Sequence, residues 1–493
     1  MSGHAVFMTH SGLIRMDAVF ARALRERMGC GSVAVVHGKR DRSMAEGEEA
    51  FDSVIDVIEG FHPEGAARRL GRNLGLLAEM EREKGDSTFF QDIYQDRWLS
   101  GRFDLAFQAD YLAHGIERLR EVLAGDLRVV MGEMTMALYR TARRMALGDA
   151  PYLYPLGARF FERFYFEDDL EMGWNRCRLA YDRYLGGDIP DEARRHAERV
   201  LGEVVDQDAT IASFAGVKKY TSPGGEPVHA KLGEVRRLAH HRDYWRHEFP
   251  ERARNPKVLM SPWQMSPPGM VLRWTREWKN FNFLKRHALS EVPADAKFAI
   301  YFLHYQPEYT VEGVGFPVAN QAVLIRTIAQ SLPVDMLLLV KEQPWMTGRR
   351  SASFYREILA LPNVRLVRET VSSRELIKRS RCVFAISGTA ALEALFFNIP
   401  AVLFSRVFHS NFRGITRVLN LYTLRDHVHA LLTEKRGETR ASSLAALAAM
   451  YSESRPGRIA TEIADVATVY NQPNVERLGD ALLRELQQRG KKK

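Results

Sequence analysis

The sequence predicts an α/β protein whose C-terminal half is a doubly wound domain with a parallel sheet. Between residues 297 and 405, short apolar runs rich in β-branched residues alternate with segments of helical periodicity. Parallel strands covered on both faces have this composition, and alternation at this spacing is typical of βαβ units. A similar alternation near the N-terminus predicts a second α/β domain.

In the C-terminal domain we predict strands in the runs KFAIYFLHY, DMLLLVKE, NVRLVRE, CVFAISG and PAVLFS. The connecting helices are predicted over Val318–Ser331, Ser351–Leu361, Ser372–Ser380 and Thr389–Phe397. Ligands of such sheets bind beyond the carboxyl ends of the strands. The polar residues that follow each strand are therefore the first candidates for a site.

The N-terminal half opens with predicted strands over Ala5–His10 and Ser32–Val36, which flank a helix near Ile14–Met28. Val54–Ile58 is a candidate third strand. The loop 9–12 between the first strand and the helix lacks the G-x-G-x-x-G spacing, so no dinucleotide-binding fingerprint is predicted.

The rest of this half is predicted to be mainly helical. The charged segment 63–124 has helical periodicity, and its aromatic side chains are expected in a core. Leu127–Met131 is a predicted strand that leads into a helix over Met134–Leu147, and Pro151–Pro155 is extended. Gly157–Asp208 is predicted to be helical.

Length and composition indicate a soluble globular protein with more than one domain. A chain of 493 residues is too long to form a single hydrophobic core. Its contents of 46% hydrophobic and 27% charged residues are typical of soluble globular proteins. We predict an N-terminal domain over 1–290 and a C-terminal domain over 291–436. Helices and a basic tail follow over 437–493, and we expect these helices to pack back across the domain junction.

Three features bear on location and partners. There is no apolar run near membrane-spanning length and no signal-peptide pattern. The only cysteines, Cys30, Cys177 and Cys382, lie far apart, which argues against a disulfide framework. We expect a cytoplasmic protein that can act at the inner face of the cytoplasmic membrane. The net charge of +9 favours an anionic partner, although many basic proteins lack one, and no nucleic-acid-binding motif is present.

The basic segment Lys218–Arg286 is predicted to be the least regular part of the chain. His240, His241 and His247 lie in it among arginines and lysines, and positive neighbours oppose cation binding. We therefore expect no metal site. A linker between domains and a basic surface for an acidic acceptor or a membrane are the alternatives for this segment.

Polar residues follow three of the predicted strands in the C-terminal domain. They are His304, Gln306 and Glu308 after the first, Lys341, Glu342 and Gln343 after the second, and Ser387, Gly388 and Thr389 after the fourth. A proline fixes the exit from each of the first two strands. Because the carboxyl ends of parallel strands share one edge, we expect these residues to line one pocket.

The Ser387-Gly388-Thr389 run follows a strand and opens a helix. Free N–H groups and the positive end of the helix dipole favour an anion there, and glycine allows close approach of the backbone. We predict phosphate binding, with a plain helix cap as the alternative. Glu393, one turn further, is expected either to accept hydrogen bonds from a ribose or to pair with an arginine.

The order HYQPE, VKEQP, NVRLV and SGTAALEALFFNIPAVLF resembles that of the bacterial capsule-polysaccharide biosynthesis glycosyltransferases. The N-terminal half matches that family only in general plan. The resemblance implies the GT-B fold, with two Rossmann-like domains facing a cleft, here with a helical N-terminal insertion and C-terminal helices packing back. The family's best-known members transfer Kdo from CMP-Kdo, and distant relatives use CMP-sialic acid or CDP-glycerol.

The resemblance also implies a donor site. It places the nucleotide in the C-terminal domain, with Gln343, Ser387 and Thr389 near the phosphate and Glu393 near the ribose. The family usually has His-Pro where this chain has Gln343-Pro344, and a glutamine cannot supply a proton. No metal or other cofactor is expected, because helix N-termini and Lys341 replace the cation on the leaving phosphate.

A base for the acceptor hydroxyl is expected from the N-terminal domain. Glu133 is the first candidate, although it could also cap the helix that follows it. Asp17, Asp168 and Asp169 are the next candidates, although the last two also fit a solvated acidic face. Related sialyltransferases carry an acidic-acidic-Gly motif, which is absent here because Asp169 is not followed by glycine. His10 is expected to line the cleft.

These residues favour a glycosyltransferase that moves a sugar, with CMP as the expected carrier, to a surface polysaccharide or lipid-linked acceptor. The expected partners are a nucleotide sugar and a glycan or glycolipid, with peripheral contact to the inner membrane as an open alternative. A nucleotide-sugar epimerase of the same fold and a non-catalytic partner in capsule assembly or export are the other two hypotheses.

Overall fold

The computed structural model describes residues 3–10, 12–84, 87–100, 103–159, 162–205, 245–246, 266–433, 439–459 and 466–490. The chain forms two compact units. Unit one takes in the described residues of 1–168, 243–261 and 454–493, and unit two takes in those of 169–242 and 262–453. Each unit contains one mainly parallel sheet, so the predicted α/β class is confirmed.

The strands of the described residues fall into the two units. They are β1 (His4–Met8), β2 (Gly31–Val36), β3 (Ser53–Asp56), β4 (Leu127–Gly132), β5 (Tyr152–Ala158) and β6 (Arg163–Glu167) in unit one, β7 (Phe298–Phe302), β8 (Leu337–Lys341), β9 (Val364–Val367), β10 (Val383–Ala385), β11 (Ala401–Leu403) and β12 (Ile415–Arg417) in unit two, and β13 (Arg455–Pro456) in unit one.

The helices of the same residues connect and flank these strands. They are α1 (Ile14–Met28), α2 (Lys39–Gly47), α3 (Ala66–Lys84), α4 (Phe89–Gln95), α5 (Leu105–Val122), α6 (Ala137–Ala146), α7 (Asn175–Leu185), α8 (Asp191–Val205), α9 (Pro267–His287), α10 (Tyr309–Glu312), α11 (Gln321–Ser331), α12 (Ala352–Leu359), α13 (Ser373–Arg379), α14 (Ala390–Phe396), α15 (Leu424–Thr433), α16 (Arg440–Ser452), α17 (Val466–Val469) and α18 (Gln472–Gly490).

Sheet one has the strand order β13-β6-β5-β4-β1-β2-β3. Its strands β3, β2, β1, β4 and β5 are parallel, and β6 and β13 are antiparallel additions at one side. The central strand β1 buries Ala5, Val6, Phe7 and Met8 completely, as a strand covered on both faces should. The order reverses between β1 and β4, which makes that position the switch point of the sheet.

Sheet two has the order β12-β11-β10-β7-β8-β9, and every pair is parallel. In chain order this is the 3-2-1-4-5-6 arrangement of a Rossmann-like domain. The core of unit two is formed by the apolar residues of β7, β8 and β10 with α11 and α12. Its switch point lies between β7 and β10.

The predicted boundaries at residues 290 and 436 do not coincide with those of the compact units. Helices α7 and α8 precede residue 290, yet they pack on α16 in unit two. Tyr181 of α7 lies 2.9 Å from Ser442 of α16, oxygen to oxygen, and Tyr184 donates to Ser452 at 3.0 Å. The C-terminal helix α18 packs against α1 in unit one, where Gly479 allows close approach to Ala23.

Three predictions of secondary structure need correction. The segment predicted to be helical over Gly157–Asp208 contains the end of β5 and all of β6, whose run RFYFE is short and antiparallel. Strand β12 follows Phe412, where no strand was predicted, and at three residues it is too short to give a pattern. Helix α9 lies in the segment predicted to be irregular, although Ser266 caps it and Pro267 begins it.

The part of Lys218–Arg286 that precedes α9 lies outside the described residues, apart from 245–246 and 266. The three histidines at 240, 241 and 247 are among the residues not described, as are the last three lysines of the chain.

Candidate functional site

The site residues predicted in the C-terminal domain follow β7, β8 and β10. These strands are neighbours in sheet two, in the order β10-β7-β8. The residues therefore lie at one edge of one sheet, which we call the carboxyl edge of sheet two. This edge includes the switch point between β7 and β10, where ligands of open α/β sheets bind.

His304 ties the ends of two of these strands together. Its ring nitrogen Nε2 accepts a hydrogen bond from the backbone N–H of Ile386, which follows β10, at 3.0 Å. Burial, with a smaller contribution from the Arg350 guanidinium, lowers the pKa of His304 from 6.5 to about 4. The imidazole is therefore neutral at physiological pH and cannot act as a cation toward a phosphate.

Gln306 and Glu308 belong to a local network. The amide of Gln306 donates to the Ala319 carbonyl at 3.0 Å and accepts from Gln321 at 2.6 Å. The backbone N–H of Glu308 donates to Glu312 at 2.5 Å. These bonds shape the loop after β7 and hold the Gln306 side chain in place, and its predicted contact with a nucleotide stays a prediction.

Arg350, which the sequence analysis did not single out, is the centre of this edge. Its guanidinium donates to Glu342 at 2.9 Å, to the His304 carbonyl at 2.8 Å and to Gln306 at 3.3 Å. The Tyr355 hydroxyl donates to the same oxygen of Glu342 at 2.7 Å. Glu342 is 1% exposed, so this buried pair fixes the loop after β8 against the loop after β7.

Lys341 does not lie free at the edge. Its ammonium donates to the carbonyl of Glu369 at 3.1 Å, and the residue is 5% exposed. Burial lowers the pKa of Lys341 to about 8, although the nearby carboxylates Glu369 and Glu342 act in the opposite direction. The ammonium of Lys341 is thus bonded to the backbone, and its predicted phosphate contact stays a prediction.

The side chain of Gln343 has a hydrogen-bond acceptor that no described residue satisfies. Its side-chain oxygen Oε1 is buried, and no residue that the structure describes donates a hydrogen bond to it. Buried acceptors without a donor are rare in native structures. A ligand N–H or O–H group would satisfy this oxygen.

The Ser387-Gly388-Thr389 run directly precedes α14 and is partly exposed. Ser387 donates its hydroxyl proton to the Thr310 carbonyl at 2.9 Å, so that proton is already used. Thr389 occupies the cap position without a side-chain cap bond. A side chain at Gly388 would place its Cβ 3.1 Å from Cε1 of His304, so the glycine keeps the edge of that ring uncovered. Glu393 is partly buried in the first turn of α14.

Unit one brings together two of the residues predicted for acceptor chemistry. His10 follows β1 and Glu133 follows β4, which are the strands at the switch point of sheet one. His10 Nε2 lies 3.1 Å from Glu133 Oε1, and Thr135 donates to that same oxygen at 2.5 Å. Both residues of the pair are less than 10% exposed. The pair is therefore a shielded carboxylate with an imidazole and a hydroxyl beside it.

Unit one also buries the polar residues Asp17, His37 and Asp41, of which the sequence analysis named only Asp17. The rings of His37 and Tyr139 lie 5.6 Å apart, centroid to centroid, and are tilted by 47° to each other. Asp41 lies in the first turn of α2. Burial first, and Glu133 second, raise the pKa values of Tyr139 and Tyr152 well above the usual range. In the sequence, the position of His37 directly after the strand β2 could have indicated it as a further candidate residue.

Asp168 and Asp169 have contacts of a different kind. Asp168 forms an ion pair with Arg489 of α18 at 2.7 Å. Asp169 accepts a hydrogen bond from the backbone N–H of Glu171 at 2.9 Å. Their predicted catalytic role stays a prediction.

The described residues contain neither a metal cluster nor a membrane span. No group of three histidine, cysteine or acidic side chains in this part of the chain is arranged to hold a metal ion. Among the helices described, none combines the length and the apolar composition that a bilayer crossing requires.

Comparisons with known proteins found no matching family model and no matching curated protein. Among solved structures, a Thermosulfurimonas dismutans KpsC β-Kdo 2,4 transferase is similar at 13% identity and a TM-score of 0.38, over 72% of this chain and 87% of that one. A Methanocaldococcus jannaschii UDP-GlcNAc 2-epimerase is similar at 12% identity and a TM-score of 0.29, over 99% of both chains. A Rickettsia africae glycosyltransferase has 8% identity and a TM-score of 0.28, over 99% of this chain and 98% of that one.

These structures include both a transferase and an epimerase, so the comparisons do not separate the two reactions. The residues at the carboxyl ends of the strands in sheets one and two are therefore the basis for assigning a function.

Proposed function

We propose that the protein is a glycosyltransferase that binds a nucleotide-sugar donor at the carboxyl edge of sheet two. The observation that carries this proposal is the convergence of the loops after β7, β8 and β10 at the switch point of the sheet. The resemblance of these loops to those of the capsule glycosyltransferases supports the same assignment. A CMP-linked sugar of the Kdo type is the donor we propose, with a surface polysaccharide or lipid-linked glycan as the acceptor.

The residues at this edge offer hydrogen-bonding groups for the phosphate of a nucleotide and for its ribose or base. The Thr389 hydroxyl and the N–H groups of the first turn of α14 are donors, and a phosphate accepts such bonds. The buried Oε1 of Gln343 needs a donor, which a ribose hydroxyl or a nucleobase amine provides. The neutral His304 and the glutamine at 343 exclude proton donation by a cationic imidazole from either position at physiological pH.

In the transfer step, the acceptor hydroxyl oxygen forms a bond to the anomeric carbon, and the bond from that carbon to the phosphate oxygen breaks. The nucleotide leaves with the electron pair of the broken bond. We propose that Glu133 of unit one takes the proton of the acceptor hydroxyl, because its carboxylate is shielded from water beside His10 and Thr135.

Calorimetric titration of the protein with CMP, CDP and UDP, first without metal and then with Mg²⁺, tests the donor assignment. We expect CMP to bind without metal, and Thr389→Ala to weaken it about tenfold, which corresponds to about 1.4 kcal/mol. Thr327→Ala on α11 is the matched control, because its hydroxyl bonds only to the helix backbone at Val323 in the part of the chain described. Equal CMP affinity of the Thr389→Ala variant and the wild type would remove the pocket assignment.

The same titration separates the other hypotheses. A preference for UDP, together with UDP release from a UDP-sugar in the absence of acceptor, would support the epimerase. The absence of binding to all three nucleotides would contradict the glycosyltransferase and favour a non-catalytic partner in capsule assembly or export.

A further inference from the structure

His304 is held by hydrogen bonds on almost every polar atom that it has. Its backbone N–H donates to Gln321 Oε1 at 2.8 Å. Its carbonyl accepts from Arg350 at 2.8 Å and from Gln321 Nε2 at 3.2 Å. Its ring nitrogen Nε2 accepts from the Ile386 N–H at 3.0 Å. The residue is therefore fixed in position by three other segments of unit two.

These bonds also determine which ring nitrogen carries the proton. An imidazole nitrogen that accepts a hydrogen bond presents a lone pair, so Nε2 is unprotonated. A neutral imidazole has one N–H, and this N–H is then at Nδ1. The low pKa of His304 keeps the ring in this neutral form over the physiological range. No described residue is hydrogen-bonded to Nδ1.

The surroundings leave the ring accessible. His304 is only partly buried, and it follows β7 at the switch point of sheet two. Gly388 lies across from the ring, and a Cβ at that position would be 3.1 Å from Cε1, the carbon between the two nitrogens. A side chain at 388 would therefore crowd the edge of the ring from which an N–H reaches a ligand.

We infer that His304 is a fixed neutral hydrogen-bond donor, and that its Nδ1–H binds a phosphate oxygen of the nucleotide. A donor that is already oriented before the ligand binds loses little entropy on binding, and a neutral one needs no counterion. In this role His304 is a binding residue that cannot protonate the leaving group. The inference depends on the proposed nucleotide site at the same edge of the sheet.

Two substitutions separate the two nitrogens of the ring. In His304→Gln the amide group reaches the place of Nε2, so its oxygen can still accept from the Ile386 N–H, but the donor at Nδ1 is lost. In His304→Asn the amide nitrogen occupies the place of Nδ1, so the donor is kept and the bond to Ile386 is lost. The first variant is expected to fold as the wild type does.

We expect His304→Gln to keep the melting temperature within about 2 °C and to bind CMP about tenfold more weakly, which is about 1.4 kcal/mol. We expect His304→Asn to lower the melting temperature by several degrees and to keep the CMP affinity within about threefold. The reverse pattern, or equal CMP affinity of His304→Gln and wild type, would overturn the inference while leaving the nucleotide site in place.

A second measurement does not depend on turnover or on either variant. In the ¹⁵N-labelled wild-type protein, the side-chain nitrogen shifts of His304 should show a protonated Nδ1 and an unprotonated Nε2 near pH 7, and CMP or inorganic phosphate should move the Nδ1 shift. A protonated Nε2 would contradict the inference directly. If no nucleotide and no phosphate binds the wild-type protein, the proposed function fails and this inference fails with it.

Discussion

Gly132 lies against Met8 so closely that a Cβ atom on the glycine would be 2.6 Å from Cβ of Met8 and 3.0 Å from its carbonyl oxygen. These residues end the neighbouring strands β4 and β1, and they pair in the sheet. Glu133 follows the glycine directly, and His10 follows Met8 by two residues. The close approach of the two strands therefore underlies the His10–Glu133 pair.

Gly132→Ala is expected to lower the free energy of unfolding by about 1–3 kcal/mol, because the added methyl group overpacks a rigid strand contact. Gly75→Ala is the matched control. Gly75 lies inside α3, and the methyl group of an alanine there would meet no atom within 4 Å, so this substitution should raise stability by about 0.5–1 kcal/mol. Urea unfolding measures both, and equal effects of the two substitutions would contradict the packing argument.

Lys341 should make stability depend on pH in the alkaline range. Its pKa is about 8 in the folded protein and 10.5 when unperturbed, so between these values the unfolded chain binds more protons. Stability attributable to Lys341 therefore rises with pH through this window, by up to about 3 kcal/mol. Lys341→Met, which has no charge to bury, should be more stable than the wild type at pH 7.

The difference between wild type and Lys341→Met should shrink as pH rises from 8 to 10.5. Lys297→Met provides the control, because Lys297 is exposed in an ion pair with Asp335 and should give a small difference. A constant difference between wild type and Lys341→Met over this range would show that the ammonium is not desolvated in the folded protein.

Asp92 is the shared partner of two buried arginines. It is fully buried, 2.8 Å from Arg144 and 3.4 Å from Arg140, and both arginine side chains are 1% exposed. Asp92→Asn removes the negative charge that both guanidinium groups contact. It should lower the free energy of unfolding, measured with urea, by about 3–5 kcal/mol. Asp335→Asn, in the exposed pair with Lys297, should cost less than about 1 kcal/mol. Similar losses for the two variants would contradict this assignment.

Much of the fold was predictable because long apolar runs with clear ends specify parallel strands. Helix α1 has the predicted limits, and its end is set by Gly29, which has a φ of 61°. The strands β6 and β12 were missed because pairing with a neighbour, and not their own pattern, makes them strands. The unit boundaries were missed because the packing of α7 and α8 on α16 joins residues far apart in the sequence.

The sequence predicted which positions belong to the candidate site, but not the contacts that their side chains make. Strand ends indicated His304, Gln343 and Ser387, because topology alone places them at one edge. Their hydrogen bonds were not predictable. Nothing in the sequence shows that Arg350 holds the His304 carbonyl, or that the Ser387 proton is donated to Thr310.

Glu133→Gln should separate chemistry from donor binding if the proposed function holds. The amide keeps the shape of the carboxylate but cannot take a proton, so transfer should fall by about 10²–10⁴-fold. CMP affinity should not change, because the proposed nucleotide site is built from residues of unit two only. Glu121→Gln is the control, since Glu121 is 74% exposed in the same unit and should leave both quantities unchanged.

Sugar transfer to a glycan acceptor and calorimetric CMP binding are measured on the same preparations. Transfer by Glu133→Gln within a few-fold of the wild-type rate would show that another group takes the proton. In that case Asp17 would be the next residue to test, because it is buried in the first turn of α1 and its charge acts on the same two tyrosines as that of Glu133. A loss of CMP affinity in the variant would instead show that Glu133 contributes to donor binding.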